Sequence, residues 1–148
     1  IHYRDLHRAP PELEAGATFH DTDESFLAAI DILSMHMPGG DATRKWLNAD
    51  RLARMKRGAI VINTGRGGSV DDAALVKALR TGHIRAAGLD VYDGEPRVHE
   101  GYFALENVAL LPHLGSATEE TRDAMGHRAL DNLDAVLRDG REAPHRVA

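Results

Sequence analysis

Ala59-Ile60-Val61-Ile62-Asn63-Thr64-Gly65-Arg66-Gly67-Gly68-Ser69-Val70-Asp71 is the stretch that decides the fold. Ala59 to Asn63 is a nearly continuous apolar run, the mark of a strand covered on both faces of a parallel sheet. Glycines break the run, and Asp71 then caps a helix in which Leu75, Ala78 and Leu79 share one side until Gly82 stops it. Outward from this unit the alternation repeats. Ala86 to Val91 and Val108 to Leu111 read as strands after it. Before it, Ala17 to His20 and Asp31 to His36 read as strands with a short helix over Thr22 to Ile30 between them. Asn48 is a good N-cap for a helix whose Leu52 and Met55 share a face, and Lys56-Arg57-Gly58 suits its C-terminus. Ser116-Ala117-Thr118-Glu119 has the form of a capping box, opening a long helix with Met125, Leu130, Leu133 and Leu137 inward. The class is therefore α/β, a doubly wound and mainly parallel sheet.

The composition narrows the function. The 148 residues are 43% hydrophobic and 28% charged, ordinary for a globular chain of about one domain. A net charge of −5 argues against a nucleic-acid or anionic-membrane partner. With no cysteine there is no disulfide and no thiolate metal site, which fits a reducing cytoplasm. No signal-peptide pattern opens the chain, and no run approaches the roughly 18 apolar residues of a membrane span. No H-E-x-x-H or clustered His-carboxylate spacing points to a metal, and no G-x-S-x-G elbow points to a nucleophile.

One element expected of such a sheet is missing. A dinucleotide-binding fold starts with a strand and a Gly-rich turn whose amides hold the pyrophosphate. No G-x-G-x-x-G occurs here, and Ile1-His2-Tyr3-Arg4-Asp5 reads instead as the second strand, ending in an acid. In the usual 3-2-1-4-5-6 order the first strand is central, so the sheet is expected to be split, with unsatisfied edges across a strand-wide gap. The expectation is that these residues are the latter part of a longer polypeptide, or that another segment fills the gap.

Three segments follow apolar runs and carry reactive side chains: Arg66 in Asn63-Thr64-Gly65-Arg66-Gly67, Glu95 in Asp90-Val91-Tyr92-Asp93-Gly94-Glu95-Pro96, and His113 in Pro112-His113-Leu114-Gly115. Ligands of open parallel sheets bind beyond the carboxyl ends of the strands, so the three point toward one crevice. An Arg to grip an anion, a His to move a proton and a Glu to tune that His outline a reaction site. The glycines around Arg66 suggest a close backbone approach to a ligand.

These motifs resemble the signature of the D-isomer-specific 2-hydroxyacid dehydrogenases. The likeness takes in Ile62 to Asp71 with Ala74-Leu75, Gly88-Leu89-Asp90-Val91 leading to Glu95-Pro96, and Leu111 to Gly115. Met37-Pro38 to Thr43, Leu47-Asn48 and Met55 to Ala59 match in order and spacing, so the resemblance runs from about Ile1 to Gly126. Tyr3 to Arg8 looks most like formate, glyoxylate and hydroxypyruvate-type members.

The resemblance implies a Rossmann-like NAD-binding domain over 1–138 and a tail over 139–148 that leads back toward a substrate domain outside this sequence. It implies that Arg66 grips the substrate carboxylate, since a planar guanidinium donates two parallel hydrogen bonds and stays charged. His113 would give its proton to the carbonyl as hydride arrives, and Glu95 would accept from the other imidazole nitrogen, fixing the tautomer. Asp93 lies two residues before Glu95, but the family pattern places the acid directly before Pro96. Asp5 would take the adenosine ribose hydroxyls and repel a 2′-phosphate, favouring NAD, although Arg4, His7 and Arg8 blunt that preference and keep NADP possible. Met37, Pro38 and Thr43 would line the cofactor. Thr64 and Gly65 would approach the nicotinamide ribose, with Gly65 in place of the more usual Ala or Ser. Asp90 would accept from the carboxamide, and Gly115 and Ser116 would pack near the ring, Ser116 also capping the last helix.

Ordinary structural alternatives stand beside these roles: a surface Arg in a Gly-rich turn, a turn carboxylate before proline, a backbone-satisfied His, a capping Asp. The other histidines, His2, His7, His20, His36, His83, His99, His127 and His145, are taken as structural. The expected activity is hydride transfer between NAD(H) and a small 2-keto or D-2-hydroxy acid, in a homodimer. Alternatives are a non-catalytic NAD-sensing scaffold of the same fold and a formate-dehydrogenase-like member, which normally pairs Gln with its His.

Overall fold

The computed structural model describes residues 1–146. It divides into two units, Ile1–Pro112 and the segment from His113 onward.

The first unit carries all six strands found among the described residues. A two-stranded parallel sheet joins β1 (His2–Tyr3) to β2 (Thr18–Phe19). A four-stranded parallel sheet runs β3 (Ile32–Met35), β4 (Ala59–Asn63), β5 (Ile84–Leu89), β6 (Val108–Leu110) in that order. The split expected without a central strand is present: among the described residues no strand pairs with the outer edge of β3. Ile32 on that strand is 58% exposed, although its neighbours Leu33 and Met35 are buried. The β5 strand starts at Ile84 rather than Ala86 and stops at Leu89, releasing Asp90 and Val91 into the following loop.

Helices α1 (Pro11–Glu14), α2 (Asp23–Ala29), α3 (Ala49–Arg54) and α4 (Asp72–Arg80) connect the strands. Their starts follow their capping side chains. Thr22, Asn48 and Asp71 accept from the backbone N–H three residues on, satisfying donors that have no intrahelical partner. The helix residues Leu27, Leu52, Leu75 and Leu79 are all buried in one core with Val61 of β4 and Ile84 of β5. Burying a leucine contributes roughly 1.5–3 kcal/mol, so this shared core is a main source of the cohesion between helices and sheet.

Tyr102 is the largest fully buried side chain, and its hydroxyl donates to Asp72 Oδ1 at 2.7 Å. Burial pushes the Asp72 carboxyl up, and the Tyr102 hydroxyl partly offsets the rise. Tyr102→Phe leaves that carboxylate oxygen short of a donor, at an expected cost of about 1–3 kcal/mol in urea unfolding. The Asp72 titration should move further upward; no change in either quantity would exclude this hydrogen bond in solution.

The loop after β1 is fastened by one carboxylate. Glu14 Oε1 accepts from the Tyr3 hydroxyl at 2.5 Å and from Arg8 Nε at 2.7 Å, and its Oε2 accepts from Arg8 at 3.0 Å. The Arg8 bonds first, then the Tyr3 hydroxyl, hold the Glu14 carboxyl down to about 2, against 4.5 for the free group. The folded state therefore binds fewer protons than the unfolded one in that window. The contribution to stability is complete above about 4.5 and is lost as the pH falls toward 2. An NMR titration of Glu14 should give a midpoint near 2, and an ordinary carboxylate midpoint would show that the network does not form.

The second unit contains α5 (Glu119–Leu137). Two expectations fail here. The N-cap is Thr118, whose hydroxyl accepts from Thr121 N at 3.2 Å, not Ser116. Ser and Thr compete as caps on nearly equal terms, and the residue with extended backbone directly before the first helical turn prevails. Met125, Leu130, Leu133 and Leu137 are not inward: they are 53–77% exposed, and only Ala135 is buried. Periodicity says which residues share a face, not whether anything covers it. After the helix, Asn132 accepts from His145 N at 2.9 Å, holding the tail against α5. Val147 and Ala148, the end of the expected 139–148 tail, lie outside the described residues.

Candidate active site

The loops after β4 and β5 are built against each other. Asn63 closes β4 and is fully buried; its Oδ1 accepts from Gly65 N at 3.1 Å and its Nδ2 donates to Arg66 O at 3.1 Å. Ser69 Oγ donates to the same carbonyl at 2.6 Å. The turn is thereby cross-braced from inside, while Thr64 and the Arg66 side chain stay exposed. Next door, Asp90 N donates to Asn63 O at 3.0 Å, which carries the β4–β5 ladder one step past the end of β5.

Gly67 sets the distance between the two loops. A Cβ at Gly67 would lie 1.9 Å from the Tyr92 carbonyl carbon and 2.2 Å from its oxygen. At Gly67 the close approach is to the Tyr92 backbone. Gly65 is likewise tight against protein: a Cβ there would meet the carbonyls of Met35 and Met37 at 3.1 and 3.2 Å.

Tyr92 is the brace of the second loop. Its buried hydroxyl lies 3.0 Å from Leu89 O and 2.7 Å from Leu111 O, spanning the ends of β5 and β6. Burial pushes this phenol up. Its backbone N–H donates to Glu95 Oε1 at 3.0 Å, so Glu95 curls back over its own turn. Asp93 turns elsewhere, pairing with Arg44 at 3.5 Å. The two acids thus take different partners, Arg44 for Asp93 and the Tyr92 N–H for Glu95.

Asp90 is only 6% exposed, a carboxylate held at the end of β5. Arg66 donates to Gly65 O at 2.7 Å and keeps its guanidinium at the surface. Met37 and Pro38 follow β3, and the Thr43 hydroxyl donates to Pro38 O at 2.7 Å, so Thr43 shapes this loop by closing it. Asp5, two residues past β1, is exposed and accepts from Leu6 N at 2.6 Å. In the second unit, His113 is exposed three residues past the end of β6 and has a left-handed backbone, φ +58°. That region is uncommon outside glycine and is enriched at functional positions. Leu114 O accepts from Ala117 N at 2.9 Å, a turn that encloses Gly115 and the half-buried Ser116.

Reading the sequence missed Asn63, Gly67, Ser69 and Tyr92 as the parts that shape the site. The Gly-Gly pair and the buried-strand position of Asn63 were the available signals. Among the other histidines, His83 Nε2 lies 2.9 Å from Leu52 O and His99 Nδ1 accepts from Gly101 N at 3.1 Å.

Residues 1–115 match the family model described as D-isomer specific 2-hydroxyacid dehydrogenase, NAD binding domain. The chain belongs to the D-isomer specific 2-hydroxyacid dehydrogenase family. It is 43% identical over 139 residues to a glycerate dehydrogenase of Hyphomicrobium methylovorum, covering 93% of this chain and 43% of that protein. An NADPH-dependent glyoxylate/hydroxypyruvate reductase from Sinorhizobium meliloti, solved with NADP and malonate, superposes with a TM-score of 0.91 at 44% identity, covering 100% of this chain and 45% of the other. A glyoxylate reductase from Paecilomyes thermophila gives 0.90 at 37% identity, with 96% and 43% covered. The chain thus spans less than half the length of these family members.

The residues present fit part of a nicotinamide dinucleotide. The exposed Asp5 carboxylate past β1 suits ribose hydroxyls, and the buried Asp90 carboxylate past β5 suits an amide donor. The amide cradle for the pyrophosphate has no counterpart in this sequence. Among the described residues no helix is long and apolar enough to cross a membrane.

Proposed function

We propose that this chain is the dinucleotide-binding part of an oxidoreductase that interconverts a small 2-keto acid and its D-2-hydroxy acid with NAD(H). The observation that carries this reading is the seating of Gly67 on the Tyr92 backbone, which locks the Arg66 turn beside the Asp90–Glu95 loop at the carboxyl ends of neighbouring strands. Those strand ends are where open parallel sheets bind ligands.

Bound NADH would supply the hydride to the carbonyl carbon. Arg66 holds the substrate carboxylate through two parallel hydrogen bonds and draws charge from the keto oxygen. His113 delivers a proton to that oxygen and recovers it in the reverse direction. Glu95 accepts from the second imidazole nitrogen and keeps the tautomer that can donate. Asp90 orients the nicotinamide by accepting from its carboxamide, with Thr64, Gly65, Met37, Pro38, Gly115 and Ser116 against the nicotinamide half and Asp5 on the adenosine ribose. Thr43 takes part by closing the Met37–Pro38 loop. In this reading residues 1–138 belong to the cofactor domain and the tail from Asp139 leads to the substrate domain. The protein acts in the cytoplasm as a homodimer.

The test follows NADH absorbance with glyoxylate, hydroxypyruvate and formate-side controls in the natural protein, with chiral analysis of the product. Reduction of a 2-keto acid to the D product is expected. Dinucleotide binding with no 2-keto acid reduced would favour an NAD-sensing scaffold, and NAD reduction by formate would favour the formate-dehydrogenase-like alternative.

A further inference from the structure

The loop from Arg4 to Pro10 follows β1 at the end that would receive the adenosine ribose, and it holds two arginines. An arginine at this place is what accommodates a 2′-phosphate in dinucleotide-binding folds, so the sequence alone leaves NADP open. The structure shows both arginines engaged elsewhere. Arg4 Nε lies 3.3 Å from Asp23 Oδ1, and its guanidinium also donates to Asp5 O. Arg8 points back to α1, where both oxygens of Glu14 take its Nε and one terminal nitrogen. This is the bidentate geometry that gives arginine–carboxylate pairs their strength.

The Glu14 side chain is well placed to keep that hold. It is 11% exposed, against 64% for Arg8, so the carboxylate is the enclosed partner and the guanidinium the one open to solvent. The Tyr3 hydroxyl donates to Glu14 and accepts from Ala9 N at 3.0 Å, which pins the far end of the loop to β1 as well. The arginines around the loop are also paired with carboxylates: Arg8 with Glu14, and Arg4 and Arg51 with Asp23, which Arg51 meets at 2.7 Å. A 2′-phosphate would have to draw a guanidinium from a partner it already holds.

We infer that Glu14 sets cofactor choice: by holding the Arg8 guanidinium on α1 it withholds that cation from a 2′-phosphate and so favours NAD(H) over NADP(H). The inference rests on the dinucleotide-binding reading above and deepens it. Glu14 is a positioning residue in this scheme, acting only through Arg8. Neutralising Glu14 frees a fork that can swing to a 2′-phosphate, where hydrogen bonds between charged groups are worth about tenfold or more in affinity.

The experiment is calorimetric titration of the natural protein with NADH and with NADPH, read as the ratio of the two dissociation constants within each variant. Wild type is expected to favour NADH. Glu14→Gln should shift the ratio toward NADPH by about tenfold or more, and Arg8→Gln added to it should cancel the shift. Tyr3→Phe loosens the loop without freeing Arg8, and should leave the ratio within about twofold. Arg8→Gln alone keeps Glu14 in place and should likewise leave the ratio unchanged. A wild type that favours NADPH, an unmoved ratio in Glu14→Gln, or a loss of NADPH affinity in Arg8→Gln alone would each overturn the inference while the dinucleotide reading stands. Binding of neither dinucleotide by wild type would overturn both.

Discussion

His113→Gln is expected to lower 2-keto acid reduction by at least ~100-fold in kcat, with the NADH dissociation constant changed by less than about threefold. Gln can hydrogen-bond a carbonyl oxygen, but it holds no proton that it can surrender and recover. General acid catalysis by a placed side chain contributes roughly 10²–10⁴-fold, which sets the scale of the loss. The left-handed backbone at His113, φ +58°, complicates any single substitution. Asn tolerates that region better than most residues, so His113→Asn is the companion variant. Loss of turnover in both variants assigns the effect to the missing proton rather than to strain. Turnover within about fivefold of wild type in either would remove His113 from the mechanism.

Gly67→Ala is expected to cost about 3 kcal/mol or more in urea unfolding, because the added methyl meets Tyr92 backbone at 1.9–2.4 Å. No rotamer change relieves such a contact, since the obstacle is main chain. The Arg66 turn and the Asp90–Glu95 loop must part, so activity should fall with stability. Gly68→Ala is the control at the next position: its methyl would find only Asp93 Oδ1, at 3.6 Å. That change should stay within about 1 kcal/mol, as for surface sites without a special constraint. Equal costs at the two glycines would refute the seating of the turn on Tyr92.

Much of the fold is legible from local patterns. The Ala59–Asn63 run, the caps Thr22, Asn48 and Asp71, and the left-handed Gly82 that follows α4 all act over a few residues, whereas Gly58 does not close α3, which ends at Arg54 with Met55 as its extended C-cap. Such signals need no knowledge of the rest of the chain. The split sheet is legible too, because the absence of a Gly-rich first turn is itself a feature of the sequence. The long helix shows where this stops. Its apolar residues Met125, Leu130, Leu133 and Leu137 are correctly periodic yet exposed, because burial depends on a second surface and period does not report one.

The candidate site divides in the same way. Arg66, Asp90, Glu95 and His113 stand out in the sequence because each lies in a segment that follows an apolar run and is of a type suited to the proposed chemistry, and all four fall within the family match over residues 1–115. Which groups hold them in place was decided only by the tertiary structure. Gly67 against Tyr92 and the Tyr92 hydroxyl on Leu111 O join segments far apart in the chain, while the Asn63 amide across the Arg66 turn and Glu14 on Arg8 are short-range contacts that residue type alone does not announce. A residue type and its local period are written one position at a time, whereas a close approach or a shared carboxylate exists only once the folded backbone has brought the groups together.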